Sequence, residues 1–244
     1  MTLFSSACRM EWIKLRSLRS TWWTLAFTVA GAIGVAVAVG VNTKNASGDL
    51  TNNALAGIAP GLLIIGVLGV LTMTSEYSSG MIRATLAAVP ARPALLAAKA
   101  AVFGLITLVL GEATAFLAFV VGGMALPSRV TPPSFGDPGV LRAVVLSGAG
   151  FCLVGLFGLG LGAIIRHSAA ALATYAGAVF VAGQLLAVTP SAARWVPLAI
   201  VGDSLADSRP TATGLPPWTG LGVLSLYAVV TLAVGAWLLV RRDA

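Results

Sequence analysis

Six apolar runs, each close to or above the roughly 20 residues a helix needs to cross a bilayer, can be placed along this chain without overlap. They cover 22–41, 54–74, 100–126, 139–165, 169–189 and 219–240. The longest polar stretches, Ser75–Lys99 and Pro190–Trp218, fall below the roughly 40 residues that an independent fold needs without disulfide or metal staples. The expected fold class is therefore an all-α membrane protein, a single transmembrane domain over residues 1–244, with no separate catalytic domain. Composition agrees: 58% of residues are hydrophobic and 9% charged, against about 25% charged in a soluble domain.

Charge is scarce and basic, with 15 Lys plus Arg against 8 Asp plus Glu. In a soluble chain this balance would suggest nucleic acid, but here its distribution reads as topology and no nucleic-acid partner is expected. With the N-terminus inside, the inner segments hold Arg9, Lys14, Arg16, Arg19, Arg83, Arg92, Lys99, Arg166, Arg241 and Arg242, and the outer ones Lys44, Arg129, Arg142, Arg194 and Arg209. That two-to-one bias predicts both termini in the cytoplasm. Ala36-Val37-Ala38 resembles a signal cleavage site behind a basic head. The apolar stretch before it is longer than the usual signal core of about 7 to 15 residues, so an uncleaved first helix is expected. Cys8 and Cys152 are expected to be free thiols, since one precedes the spans and the other lies inside one.

Catalytic signatures are missing. There is no G-x-x-x-x-G-K-[ST] phosphate loop. Gly155, Gly158, Gly160 and Gly162 follow no strand, so they read as helix-packing positions. One histidine, His167, and two distant cysteines do not make a metal site, and neither a Ser-His pair nor a paired-acid set is evident. The chain is expected to be no enzyme, with no metal or cofactor of its own. Small-residue pairs Gly57/Gly61 and Gly158/Gly162 suit packing within one bundle or against a second copy.

Glu112 stands near the middle of the third run, where an acid costs on the order of 3 kcal/mol to insert. It either lines a substrate or water pathway, or is a structural acid, protonated or hydrogen-bonded to Thr107, Thr114 or a polar neighbour such as Gln184 or Tyr175.

Two segments outside the spans carry helical patterning. Phe4, Cys8, Trp12, Leu15, Leu18 and Trp22 form a stripe in steps of three or four, beside Arg9 and Arg16, with Glu11 and Arg19 intruding. This predicts an amphipathic interface helix over 1–21, the alternative being a solvated basic leader. In Glu76–Arg92, apolar Ile82, Leu86 and Val89 precede a stop at Pro90. A short helix parallel to the membrane is expected, with exposed charge at Glu76 and Arg83.

The block E-Y-S-S-G-M-I-R-A-T-L-A-A-V-P-A-R at Glu76–Arg92, with Lys99 after it and E-W-I-K-L-R-S-L-R-S-T-W at Glu11–Trp22 before it, resembles the permease subunits of type-2 ATP-binding-cassette exporters, especially short actinobacterial ones. The turn G-A-I-I-R-H-S-A-A-A-L at Gly162–Leu172 and the terminal R-R-D-A are similar to that group as well, and the resemblance spans nearly the whole chain. Members usually carry Thr where this chain has Met81. The resemblance implies a six-helix half-transporter that pairs with a second copy and with two ATPase subunits, which hold the ATP and Mg. It implies ATPase coupling through Glu76, Tyr77, Gly80, Arg83, Leu86 and Arg92, and an interface helix carrying Glu11, Trp12, Lys14, Arg16 and Arg19. Pro190–Trp218 would form short re-entrant helices, and Glu112 is the substrate-path candidate. The cargo would be amphipathic or hydrophobic: a drug, a peptide antibiotic or a lipid. Two other functions fit the residues alone: a membrane anchor or immunity protein, and a proton-coupled secondary transporter using Glu112.

Overall fold

A computed structural model of the chain describes residues 3–44, 49–89, 91–186, 189–209 and 214–242. All regular structure among them is helical. Helix α1 (Leu3–Ser17) ends at Leu18, whose extended backbone separates it from α2 (Arg19–Asn42). Helix α1 ends before the 1–21 expected of an interface helix: Arg19 opens the first candidate span, and Met1 and Thr2 lie outside the described residues. A short α3 (Leu50–Leu55) occupies what reads as polar loop in the sequence. It forms because the Asp49 carboxylate accepts hydrogen bonds from the Thr51 and Asn52 N–H groups, satisfying donors that a helix start leaves open.

Helix α4 (Ile58–Ser78) turns at Gly80 into α5 (Met81–Ala88), and α6 (Arg92–Met124) follows. Gly80 has φ 72°, a left-handed conformation that glycine adopts without strain. The stop expected at Pro90 falls outside the described residues, although α5 has already ended at Ala88. Helix α6 starts eight residues before its apolar run (Arg92 against Ala100), with Pro93 in its first turn. Helices α7 (Val140–Ile165) and α8 (Ser168–Ala176) are joined by Arg166, the one non-glycine residue with positive φ (65°) among those described. A π-helical turn (Gly177–Val181) and α9 (Ala182–Leu185) complete the fifth span, and residues 187 and 188 at its expected end lie outside the description. Among the described residues, the segment expected to be re-entrant holds the short α10 (Pro190–Ala193), α11 (Pro197–Ala199) and a π-helical turn (Ile200–Leu205) before α12 (Pro217–Arg241).

Six helical stretches are long and apolar enough to cross a membrane: Arg19–Asn42, Leu50–Ser78, Arg92–Met124, Val140–Ile165, Ser168–Leu185 and Pro217–Arg241. The chain is a multi-pass helical membrane protein by this criterion. Helix α7 is the hub, packed on α4, α6, α8 and α12, while α2 covers α4 and α6. Its apolar window is 67% buried, against 17% for the fifth span and 22% for the sixth, which leave most of their surface to lipid or to other chains. Both small-residue pairs are used inside this bundle. A Cβ at Gly158 would stand 2.6 Å from the Gly66 carbonyl oxygen, and one at Gly57 would overlap the Ala32 carbonyl, so these helices approach backbone to backbone.

The bundle has two polar ends. One holds α1, the α4–α5 junction, the start of α6, the α7–α8 turn and the end of α12, and therefore both ends of the described chain. The other holds α3, the start of α7 and the loop at Asp207–Arg209.

Candidate functional site

The end that carries α1 and the end of α12 is organised by a buried cluster of two acids and two bases. Lys99 donates to Glu11 Oε2 at 2.7 Å and to Glu76 Oε1 at 2.8 Å. Lys14 donates to the same Glu76 oxygen at 2.9 Å, to Glu11 Oε1 at 3.2 Å and to the Thr85 hydroxyl at 3.2 Å. Each lysine therefore bridges both carboxylates, and four helices meet: α1 brings Glu11 and Lys14, α4 brings Glu76, α5 brings Thr85 and α6 brings Lys99. The Lys99 side chain is only 2% exposed and both acids are buried, so these contacts operate at low dielectric, where an unpaired member would be expensive. Burial pulls the Lys14 pKa down, but the hydrogen bond and charge of Glu76 and the charge of Glu11 outweigh it, and the group stays protonated to above its ordinary 10.5. Two polar atoms beside the cluster, Glu76 Oε2 and Tyr77 Oη, are buried without a hydrogen-bond partner.

The cluster decides which face α1 turns toward the bundle. Its inward face is Ala7, Glu11 and Leu15, spaced by four, whereas Phe4 and Trp12 from the expected stripe are exposed, as are Arg16, Arg19, Leu18 and Trp22 beyond them. Glu11, an intrusion on the apolar stripe in the sequence, is the residue that ties α1 down. Likewise Glu76 is not the exposed charge expected from its place at the end of the second span. It is buried because α4 continues to Ser78 and keeps Glu76 within the bundle.

Helix α5 buries Ile82 and Thr85 and leaves Met81, Arg83, Ala84, Ala87 and Ala88 exposed, so Arg83 projects from the end of the molecule. Leu86 is half-buried and packs on the cores formed by Ile82 and Val89. Gly80 is exposed at the turn, whereas Tyr77 and Arg92 are half-buried against neighbouring elements. Tyr77 lies under the Arg166 guanidinium, 5.1 Å from its ring centre. Arg92 donates to the carbonyls of Leu239 (2.9 Å) and Arg242 (3.1 Å), capping the end of α12.

At the opposite end, Asp49 also accepts from the Ser208 N–H (2.6 Å), the Ser208 hydroxyl (2.8 Å) and the Arg209 N–H (3.1 Å). Burial works to raise its pKa, but these donors together with the Thr51 N–H hold it below the ordinary 3.8. Asn52 donates to Asp207 and to the Gly202 carbonyl (2.9 Å), and Arg142 donates to the carbonyls of Asp207 and Ser208 (both 2.9 Å). Asp207 is shifted up, chiefly by burial and then by the neighbouring acids Asp49 and Asp203. The result is a polar latch joining α3, α7 and the loop before α12.

No protein-family model matches the chain, and no curated protein matches it either. Its chemistry is therefore read from its own residues.

Glu112 lies nearly two-thirds of the way along α6, half-buried against α7. None of the expected partners reaches it: Thr107 and Thr114 bond carbonyls of their own helix, Tyr175 donates to the Leu62 carbonyl, and Gln184 is exposed on α9. Lys99 and Thr85, central to the cluster, were not singled out as site residues from the sequence, although an acid on an apolar stripe and a lysine one residue before an apolar run are both signals of a buried pair.

Proposed function

We propose that this chain is the permease subunit of an ATP-driven exporter, moved by separate ATPase subunits that seat on the end carrying α1 and the end of α12. The observation that carries this is the Glu11–Lys14–Glu76–Lys99 cluster, which binds α1, the α4–α5 junction and α6 into one plate at that end. From this plate Arg83 projects with the small residues Ala84, Ala87 and Ala88, a shallow knob that a partner surface can grip. A push on α5 would reach the ion pairs of α1, α4 and α6 through the Thr85–Lys14 hydrogen bond and the α4–α5 turn. The Lys and Arg bias supports a cytoplasmic position for this plate, where ATP is available. The exposed apolar faces suit pairing with a second copy. No residue of the chain is assigned catalysis, and ATP and Mg belong to the partner.

The test is purification with the nucleotide-binding subunit, followed by ATPase assay of wild type and Arg83→Glu. Reversing Arg83 should return ATP hydrolysis to the rate of the ATPase subunit alone while leaving the chain folded, because Arg83 is exposed. An unchanged rate rejects the coupling role. Glu76 is unsuitable for this test, since reversing a buried acid disturbs the fold itself.

A further inference from the structure

Glu112 belongs to a lengthwise stripe on α6 made by Leu105, Val109, Glu112, Phe116 and Val120, whose spacing of three or four places them on one face. The four apolar members are exposed, Leu105 and Val109 by about 60% (60% and 62%). Across the seam, α7 exposes Leu141 and Val145. The Glu112 carboxyl group lies over Gly148 of α7, where a Cβ would come within 2.7 Å of its Cδ. So α7 is notched at the depth where the acid stands.

The acid has no counter-charge. Neither α6 from Ala100 onward nor α7 after Arg142 contains Lys, Arg or His, and no hydrogen bond or ion pair joins Glu112 to another described residue. One turn further along α6, Phe116 packs beside Phe135 (ring centres 5.7 Å apart), and Phe135 beside Phe119 (4.7 Å). An apolar seam with one carboxyl group and a group of aromatic faces selects its occupant by charge. A neutral apolar molecule leaves the acid unpaired at membrane depth, where that is costly. An anion is repelled. A cation with an apolar body satisfies the carboxylate and gains from the ring faces.

We propose that the α6–α7 seam binds a lipophilic cation, its charge paired with Glu112 and its apolar body along Leu105, Val109 and Phe116. This deepens the permease reading by naming the class of cargo and rests on it for transport, but binding itself needs no ATPase.

The experiment is equilibrium dialysis of the purified full-length chain in detergent against tetraphenylphosphonium, with tetraphenylborate as a probe of the same shape and opposite charge. Saturable binding of the cation is expected, weakened about tenfold or more by Glu112→Gln, as when one member of a desolvated charge pair is neutralised. Glu112→Asp, which keeps the charge, should stay within a few-fold of wild type, and the anion should show no binding that depends on Glu112. Equal cation binding by wild type and Glu112→Gln, or none by a folded wild type, overturns the site. So does conversion of a dimer to a monomer by Glu112→Gln without cation binding in wild type, which would make the seam a contact between two copies. Absent cation binding with Arg83-dependent ATPase stimulation intact rejects this site alone. Cation binding in a chain that engages no ATPase rejects the permease reading alone.

Discussion

Lys99 holds its ammonium group almost out of contact with solvent, between two carboxylates that have no other strong cation except Lys14. Removing one member of such a pair strands the others, at a cost of about 3–5 kcal/mol. Lys99→Ala should therefore lower the melting temperature of the detergent-solubilised protein markedly. The quadruple change Lys14→Met, Lys99→Met, Glu11→Gln and Glu76→Gln should recover most of the loss, because no charge of the cluster is then left unpaired. Lys14→Ala should cost less, since the Lys14 side chain is 24% exposed and water can replace part of its role. A milder response than Lys14→Ala from Lys99→Ala would contradict the assigned geometry. The pH dependence of the cluster follows from Lys14: its folded pKa is raised above 10.5, so its contribution is complete below 10.5 and is lost only as pH climbs through the higher folded value. The far latch behaves oppositely. Asp49 is depressed below 3.8, so its contribution is present above 3.8 and disappears as pH falls through the folded value. Hydrogen exchange at the Ser208 and Arg209 amides should accelerate only in that acidic range, and Asp49→Ala should accelerate it at neutral pH. Glu11 was visible in the sequence as a misplaced acid, but its partner was not. Nothing local pairs residue 11 with residue 99, and only the packing of α1 on α6 does so.

At the level of elements, close backbone approach sets the tolerance of each span. Gly57→Ala would drive a methyl group into the Ala32 carbonyl and force α2 from the start of α4, at a cost of about 1–3 kcal/mol. Gly31→Ala in α2 meets nothing within 4 Å and should be neutral or slightly stabilising through helix propensity. Thermal stability of the two variants checks the pair, and equal losses would contradict the packing of α2 on α4. The spans themselves were legible because about twenty consecutive apolar residues have few other fates in a membrane protein. Their ends were not. Hydropathy stops at the first charge, whereas α4 runs on through Glu76 and α6 begins at Arg92, because those charges are satisfied within the bundle and helical hydrogen bonding continues past them. Helix α3 was missed because six residues carry too little pattern, and its Asp49 cap is also engaged with residues 208 and 209, far along the chain.

For the whole molecule, an even number of candidate spans and the shared end of α1 and α12 agree with the loop-charge bias, which was countable from sequence. The division of labour between the two polar ends was not countable, since both mix acids and bases. One end is a charged plate buried beneath α1 and α5, the other a hydrogen-bonded latch, and the apolar seam with Glu112 runs between them. In the proposed exporter these would serve as a stiff contact for the motor, a path at mid-depth and a closure beyond it. The most direct measurement of this account is ATP hydrolysis in vesicles containing the chain and its copurifying nucleotide-binding subunit, comparing wild type with Arg83→Glu. The account predicts hydrolysis stimulated by the wild-type chain and reduced to the unstimulated rate by Arg83→Glu with assembly of the spans unchanged. Hydrolysis indifferent to both the chain and Arg83, with cargo still moved by the chain alone, would contradict it.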